Sequence, residues 1–192
     1  FRKKIYNIVR KMMSTTKNFE IEILNEEKLK TDGTTIYAVN HSNFHDVPTM
    51  TELSDEHFFL LAGVQNLRLI DKIGFFLLGS IYVDRKNKTS KNNVKDTMID
   101  LANKGNHLLI FPEGTWNVTA NKLVLPLNWG IIDIARATGA KIKPINLEYF
   151  DGKCVVNVGD DIEVAKGDDK QEKIDELEEK MATLKWDTLE GR

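Results

Sequence analysis

Short apolar runs alternate along this chain with stretches of helical periodicity. The runs are rich in β-branched or aromatic residues and are bounded by Gly, Asn, Asp or Pro, which predicts β-strands. The predicted strands are Glu20–Leu24, Thr35–Val39, Phe58–Gly63, Ser80–Val83, His107–Phe111, Lys141–Tyr149 and Cys154–Val158. The predicted helices are Val47–Ser54, Asn66–Leu78, Ser90–Lys104, Leu127–Thr138 and Asp168–Leu184. This alternation predicts an α/β fold with a largely parallel central sheet flanked by helices.

The N-terminal region has apolar residues at helical spacing, with basic residues between them. The apolar positions are Phe1, Ile5, Ile8, Val9 and Met12. The first nineteen residues hold six basic residues and no acidic one, although the whole chain has a net charge of -2. The pattern predicts a basic amphipathic helix within residues 1–17. Such a helix either lies on an anionic membrane surface or packs on the domain, and composition alone favours neither.

Length and composition predict one domain over residues 1–192. A chain of 192 residues with 41% apolar content can bury a substantial core. The C-terminal segment, residues 168–192, carries apolar residues on one helical face and is expected to pack on that domain. The single cysteine, Cys154, excludes an internal disulfide framework and suits a reducing compartment. No apolar stretch approaches the roughly 20 residues of a spanning helix, and no signal peptide is visible.

Two polar turns, each after a predicted strand, hold the candidate chemistry. The first runs from Asn40 to Pro48 and the second from Ile110 to Thr115. In the first turn, four residues separate His41 from Asp46. If the chain turns between them, the carboxylate can accept the imidazole N–H and leave the other ring nitrogen free to remove a proton from an alcohol. The alternative is that Asp46 caps the following helix and His41 is a turn residue.

Two other kinds of site find less support in the sequence. His41, His45 and His57 suggest a metal hydrolase, but a zinc site needs three or four ligands at suitable spacing, and the remaining candidates lack it. The glycine-rich phosphate loops of nucleotide-binding enzymes do not occur.

Four blocks in order resemble the glycerolipid acyltransferase family, which includes the lysophosphatidate acyltransferases. The blocks are Asn40 with His41-x-x-x-x-Asp46, then Gly79–Arg85, then Phe111–Thr115, then Ile142–Ile145. Each block alone is weakly specific, but the four together cover most of the chain in the order typical of the family.

The resemblance implies acyl transfer from an acyl thioester, on coenzyme A or acyl carrier protein, to an alcohol. His41 would be the general base and Asp46 would orient it. Arg85, Glu113, Gly114 and Thr115 would lie on the acceptor side, with Arg85 contacting a phosphate. Outside the family context, Arg85 is a surface charge and Glu113 a turn residue. No metal or other cofactor, and no nucleic-acid partner, is expected.

The chain departs from the family where cations are usual. Trp116-Asn117 follows the second turn, and Asn128-Trp129 precedes Gly130. Cations there would bind phosphate, so their loss favours an acceptor without phosphate, such as a glycolipid or an ornithine-type lipid. Trp116 and Trp129 would then stack on a sugar or line an acyl tunnel. A further alternative is a membrane lipid-binding protein without turnover.

The resemblance also favours the membrane interpretation of the N-terminal helix. The family's lipid acceptors and products lie in the bilayer. We therefore expect a peripheral, monotopic protein on the cytoplasmic side of the cell membrane, with the basic face of the helix on anionic lipid. Its partners would be that surface, acyl-CoA or acyl carrier protein, and a lysolipid acceptor.

Overall fold

The computed structural model describes residues 6–11, 18–63, 69–84, 86–119 and 121–191, and for residues 69–72 it describes the backbone alone. The described strands are β1 (Glu20–Leu24), β2 (Thr35–Val39), β3 (Phe58–Gly63), β4 (Ile81–Val83), β5 (His107–Ile110), β6 (Lys141–Phe150) and β7 (Lys153–Val158). They form one seven-stranded sheet in the order β1-β7-β6-β2-β5-β3-β4. Each neighbouring pair is parallel except β6 and β7. The prediction of a largely parallel α/β sheet is confirmed.

The helices connect the strands, as the alternating pattern predicted. They are α1 (Asp46–Leu53), α2 (Leu69–Leu78), α3 (Lys88–Asn103), α4 (Gly130–Thr138) and α5 (Lys170–Glu190), with a short 3-10 turn at Glu26–Leu29. Their first residues differ from the predicted ones by one to three residues; α2 and α4 end where predicted, and α5 ends six residues later. The C-terminal helix α5 shows why: the Asp169 side chain accepts the backbone N–H groups of Gln171 and Glu172, which fixes its first turn.

Both faces of the sheet are buried. Along β2, Ile36 and Ala38 point into a core shared with α3, α4 and α5, while Tyr37 and Val39 point into a second core shared with α1. A strand covered on both faces needs apolar residues at every position, which explains why β2 is a continuous apolar run and not an alternating one.

The antiparallel pair arises from a tight turn. Asp151 and Gly152, the two residues between β6 and β7, have positive φ angles of 50° and 76°. Two consecutive positive φ angles produce the two-residue hairpin turn that matches strand twist, and Asp-Gly is a favoured pair for it. The hairpin places β7 next to β1 at one side of the sheet.

Residues 6–11 are helical and pack against the domain. Tyr6 and Val9 are buried, and Arg10 donates to the backbone oxygen of Glu52 and pairs with Asp55. Ile8 is exposed. The rest of the predicted N-terminal amphipathic helix, residues 1–5 and 12–17, lies outside the described residues. None of the described helices is long and apolar enough to cross a bilayer.

Candidate active site

The two polar turns meet because their strands are neighbours. Strands β2 and β5 are parallel, with Ala38 opposite Ile110, so the residues that follow each strand emerge at the same edge of the sheet. Asn40 fixes the end of β2: its side chain donates to the backbone oxygen of Leu147 (3.0 Å) and accepts the Leu147 N–H (2.7 Å). His41, the next residue, therefore leaves the sheet from a rigid position.

His41 and Asp46 form a hydrogen-bonded pair. His41 Nδ1 lies 2.8 Å from Asp46 Oδ2, and the same oxygen accepts the backbone N–H groups of Ser42 and Asn43, each at 2.9 Å. Asp46 is fully buried. Three donors on one oxygen hold this carboxylate in place, and the imidazole donates to it through Nδ1.

The alternative that Asp46 caps the following helix is wrong. Asp46 is the first residue of α1, and the N-cap position belongs to His45, whose side chain makes no capping bond. The Asp46 carboxylate turns back toward the preceding turn, where it meets the amides of residues 42 and 43 and the imidazole. Asp46 therefore bonds to His41 through its side chain and does not cap α1.

The other ring nitrogen of His41 is also occupied. The indole N–H of Trp116 donates to His41 Nε2 across 2.6 Å, and the two rings meet edge to face. Phe111 stacks on the imidazole with ring centroids 4.2 Å apart. An N–H donor at Nε2 requires a lone pair there, so the imidazole is the neutral tautomer with its proton on Nδ1.

Glu113 connects the second turn to the first. Its side chain is 6% exposed; Oε1 accepts the His41 backbone N–H (3.4 Å) and Oε2 accepts the Leu125 N–H (2.8 Å). Burial raises the pKa of the Glu113 carboxyl, and the two backbone bonds oppose that rise. Both carboxylate oxygens thus bond to the backbone on either side of the site.

Of the remaining predicted acceptor-side residues, Gly114 and Thr115 are described by the structure and Arg85 is not. Gly114 has a φ of 71° and donates its N–H to the oxygen of Phe111, a turn for which the left-handed conformation is needed. Thr115 follows on the exposed surface. Arg85 lies outside the described residues, so its predicted phosphate contact stays a prediction.

The segment after Thr115 is tied to the dyad turn. The Asn117 N–H donates to the His41 backbone oxygen (2.7 Å), and its buried side chain donates to the oxygens of Lys122 and Leu123. Asn128 donates to the oxygen of Pro112 with both its backbone and its side chain. The amides that stand at the usual cation positions therefore hold the loop together.

A cleft of about 280 Å³ opens beside the second turn. It is lined by Pro112 and Gly114 from that turn, by Met98 from α3, and by Trp129 and Ile131 at the start of α4. Two lysines of α3, Lys91 and Lys95, also line it. Phe111, which stacks on His41, also lines the cleft, and the apolar part of the lining suits a lipid-like group.

The other histidines lie apart from a shared metal site. His45 contacts Phe19, Phe44 and Tyr149, and burial lowers its pKa. His57 precedes β3, so it lies at the opposite edge of the sheet from His41, between Tyr6 and Phe59. In the part of the chain that the structure describes, no group of three His, Cys, Asp or Glu side chains is placed to hold a metal.

Sequence reasoning missed how Trp116 and Phe111 surround His41. The sequence predicts Phe111 as the last residue of a strand, and Trp116 as a residue that stacks on a sugar or lines an acyl tunnel. Their proximity to the two polar turns was the available signal. A hydroxyl pair was also missed: the oxygens of the half-buried Tyr149 and the buried Thr49 are 3.2 Å apart. Burial, followed by the charge of Asp46, raises the pKa of Tyr149, so it stays a neutral phenol.

The chain is similar in sequence to known acyltransferases. The model of the acyltransferase family matches residues 20–148. The 1-acyl-sn-glycerol-3-phosphate acyltransferase of Haemophilus influenzae is 29% identical over 143 residues, which cover 68% of this chain and 58% of that protein. The chloroplastic 1-acyl-sn-glycerol-3-phosphate acyltransferase BAT2 of Brassica napus is 26% identical over 153 residues, covering 77% of this chain and 43% of that protein. The chain thus spans roughly half the length of these relatives.

A solved structure has the same fold. The crystal structure of the 1-acyl-sn-glycerophosphate acyltransferase PlsC from Thermotoga maritima superimposes with a TM-score of 0.76 at 18% sequence identity. The match covers 100% of this chain and 82% of that one.

Proposed function

Because the chain belongs to the acyltransferase family, we propose that it transfers a fatty acyl group from an acyl thioester to a lipid hydroxyl in phospholipid synthesis. The donor is acyl-CoA or the acyl thioester of acyl carrier protein, and the acceptor is a lysophospholipid or glycerol phosphate. The observation that carries the proposal is the His41–Asp46 pair, with Nδ1 and Oδ2 2.8 Å apart at the carboxyl end of β2.

The geometry supports general-base catalysis by His41. Nε2 removes the proton of the acceptor hydroxyl as its oxygen attacks the thioester carbonyl, and Asp46 stabilises the imidazolium that forms. The tetrahedral intermediate then collapses, the carbon–sulfur bond breaks, and the imidazolium returns the proton to the departing thiolate. The products are an ester and a free thiol, and no metal or redox cofactor takes part.

The acceptor-side residues support the proposal in different ways. Glu113 acts through position, since its oxygens bond to the backbone of His41 and Leu125. Gly114 and Thr115 continue the turn beside the cleft, and Gly114 lines it. Arg85 is proposed to contact the phosphate of the acceptor.

A second candidate acceptor, a lipid alcohol without phosphate, is favoured by one observation. The side chains at the usual cation positions have other partners: Trp116 bonds to His41, while Asn117 and Asn128 bond to backbone oxygens of their own loop. None of the three brings a positive charge to the site. A glycolipid or an ornithine-type lipid would not need that charge.

We also propose peripheral attachment to the cytoplasmic side of the cell membrane through the N-terminal segment. Support comes from its six basic residues and from exposed apolar side chains on the loops that carry the dyad and Trp116. Phe44 is 68% exposed and Val118 is 80% exposed. Cosedimentation with anionic vesicles tests this when Arg2, Lys3 and Lys4 are changed to Gln, a set that keeps the buried Tyr6. Unchanged binding would contradict the proposal.

The test of the reaction is thiol release from an acyl thioester with a panel of acceptors. The panel holds lysophosphatidate, glycerol phosphate, a neutral lysoglycolipid and a lyso-amino-lipid, and His41→Ala is the inactive control. We expect release with one acceptor class, accompanied by the matching ester and abolished by the substitution. Release that survives in His41→Ala, or none with any acceptor from folded, vesicle-bound protein, would contradict the proposal.

A further inference from the structure

Trp116 lies on the nitrogen that the proposed reaction uses. Its indole N–H donates to His41 Nε2 across 2.6 Å, with the ring planes at 84° and the centroids 5.6 Å apart. We propose that Trp116 covers this nitrogen until the acceptor hydroxyl displaces it, and so selects an alcohol acceptor over water. This inference rests on the proposed function of the same site.

The reasoning starts from the bonding capacity of the imidazole. With its proton on Nδ1 and bonded to Asp46, His41 has a single lone pair, on Nε2. The indole N–H and the O–H of a nucleophile would both donate to that lone pair, and it accepts only one of them at a time. Every nucleophile, water included, must therefore displace the indole before His41 can take its proton.

Displacement favours a lipid over water. A water molecule offers one hydrogen bond in exchange for the indole bond that it breaks, and gains nothing else. A lipid alcohol brings an apolar body that contacts the cleft beside the turn, and this binding energy offsets the loss of the indole bond. The nitrogen is thus available mainly when an acceptor is present.

The surroundings of Trp116 suit such an exchange. The next residue, Asn117, donates its N–H to the His41 backbone oxygen at 2.7 Å and has a buried side chain, so the backbone beside Trp116 keeps its place relative to the imidazole. The Trp116 side chain itself is 47% exposed. The indole can therefore rotate away from Nε2 and return without opening the core.

The side reaction that this arrangement suppresses is thioester hydrolysis. In it, His41 takes a proton from water, the oxygen adds to the carbonyl, and the carbon–sulfur bond breaks. The thiolate receives the proton from the imidazolium, and the products are a fatty acid and a free thiol. The acyl group would be lost without forming an ester.

The experiment measures how each variant divides the thioester between the two products. Trp116→Phe keeps an aromatic ring and removes the N–H, Trp116→Ala removes both, and Trp186→Phe is the control because Trp186 lies on α5 and is also half exposed. We expect hydrolysis without acceptor to rise about 2- to 10-fold in Trp116→Phe, the range set by one hydrogen bond. Ester formation at saturating acceptor, which has already displaced the indole, should stay nearly unchanged, so the ratio of hydrolysis to ester formation rises. The control should match the natural protein.

Two results would overturn the inference. One is an unchanged ratio in both Trp116 variants. The other is a loss of ester formation without a gain in hydrolysis, since the indole would then serve the reaction and not cover the base.

A second measurement needs no turnover. Diethylpyrocarbonate acylates an unprotonated, accessible imidazole nitrogen, and mass spectrometry separates modification of His41 from that of His45. We expect faster modification of His41 in both Trp116 variants, with His45 unchanged; equal His41 rates would overturn the inference. If the natural protein acylates no acceptor, the proposed function fails, while this rate still decides whether Trp116 covers Nε2.

Discussion

The two nitrogens of the His41 imidazole lie in different surroundings. On the Nδ1 side, Asp46 is fully buried, and its Oδ2 also accepts two backbone N–H groups. On the Nε2 side a single bond reaches the ring, from a tryptophan that is 47% exposed. The side that stays unchanged through the proposed reaction is held by several bonds, and the side that must exchange partners is held by one.

The backbone links these two sides. Glu113 accepts the His41 N–H, and Asn117 donates to the His41 oxygen. The second turn and the loop after it therefore hold the His41 backbone through both of its polar groups. Each turn thereby fixes the position of the other. A substitution near the imidazole can therefore alter the dyad, the loop after the second turn, or the exchangeable bond between Trp116 and His41.

The largest effect is expected from Asp46→Asn. The carboxamide oxygen would take the place of Oδ2, because two backbone N–H groups point at that position. The neutral amide lacks the negative charge that stabilises the imidazolium formed when His41 takes the acceptor's proton. We expect kcat/KM for acceptor-dependent thiol release to fall on the order of a thousandfold or more. Steady-state kinetics measures it.

Asp55→Asn is the matched control for this prediction. Asp55 is an exposed aspartate, paired with Arg10 at 2.8 Å, and its loss should leave kcat/KM almost unchanged. If Asp46→Asn kept activity within tenfold of the natural protein at the same melting temperature, the buried side of the ring would not be the essential one.

The next largest effect is expected on stability, which Glu113→Gln should lower. The amide group of Gln has one acceptor oxygen, so either the His41 or the Leu125 N–H loses its bond. We expect the free energy of unfolding to fall by about 1–3 kcal/mol. Urea denaturation measures it, with Glu163→Gln as the control because Glu163 has a side chain that is 79% exposed.

The difference in unfolding free energy between the natural protein and Glu113→Gln should also depend on pH. Burial raises the pKa of Glu113 above its ordinary value of 4.5, so the folded state holds this proton more tightly than the unfolded state does. Glu113 therefore contributes most stability below pH 4.5, and its contribution declines as the pH rises through the raised pKa. The Gln variant should lose least relative to the natural protein above that range. A gap that widened with rising pH would contradict this account.

Most of the fold was predictable because the relevant signals are local. The apolar run of β2 and the turn residues that bound it identify a buried strand without any tertiary information. The antiparallel pairing of β6 and β7 was not predicted, although Asp151-Gly152 is a hairpin signal. Alternating strands and helices predict parallel pairing, and a two-residue turn overrides it locally.

The pairing of His41 with Asp46 was predictable from the sequence, but the contacts around the pair were not. His41 and Asp46 were identified through their spacing, and the bond between them agrees with that prediction. The Trp116 bond to Nε2 depends on how the loop after Thr115 folds back. Asn117 and Asn128 hold that loop by donating to the backbone oxygens of His41 and Pro112, which are distant in sequence. No pattern along the chain reports such pairings.

A smaller effect is expected at the face of the ring. Phe111 stacks on His41 with centroids 4.2 Å apart, and Phe111→Leu keeps an apolar side chain there without the aromatic plane. Aromatic pairs contribute about 0.5–1.5 kcal/mol, so kcat/KM should fall about 2- to 10-fold. Phe76→Leu, on the exposed face of α2, is the control. A Phe111 variant as active as the natural protein would show that the two nitrogens alone position the imidazole.

The smallest effect is expected from Asn43→Ala, which tests whether the Nδ1 side is redundant. The Asn43 side chain accepts the His45 N–H at 3.1 Å, while its backbone N–H separately donates to Asp46. The substitution removes only the first bond, so Asp46 keeps all three of its donors. We expect a loss of about 1 kcal/mol in unfolding free energy and less than about a threefold change in kcat/KM. Kinetics and urea denaturation of this variant, compared with Trp116→Phe, measure the contrast directly. If Asn43→Ala impaired kcat/KM as severely as Asp46→Asn, one bond would control the dyad on its buried side as well, and the difference between the two nitrogens would disappear.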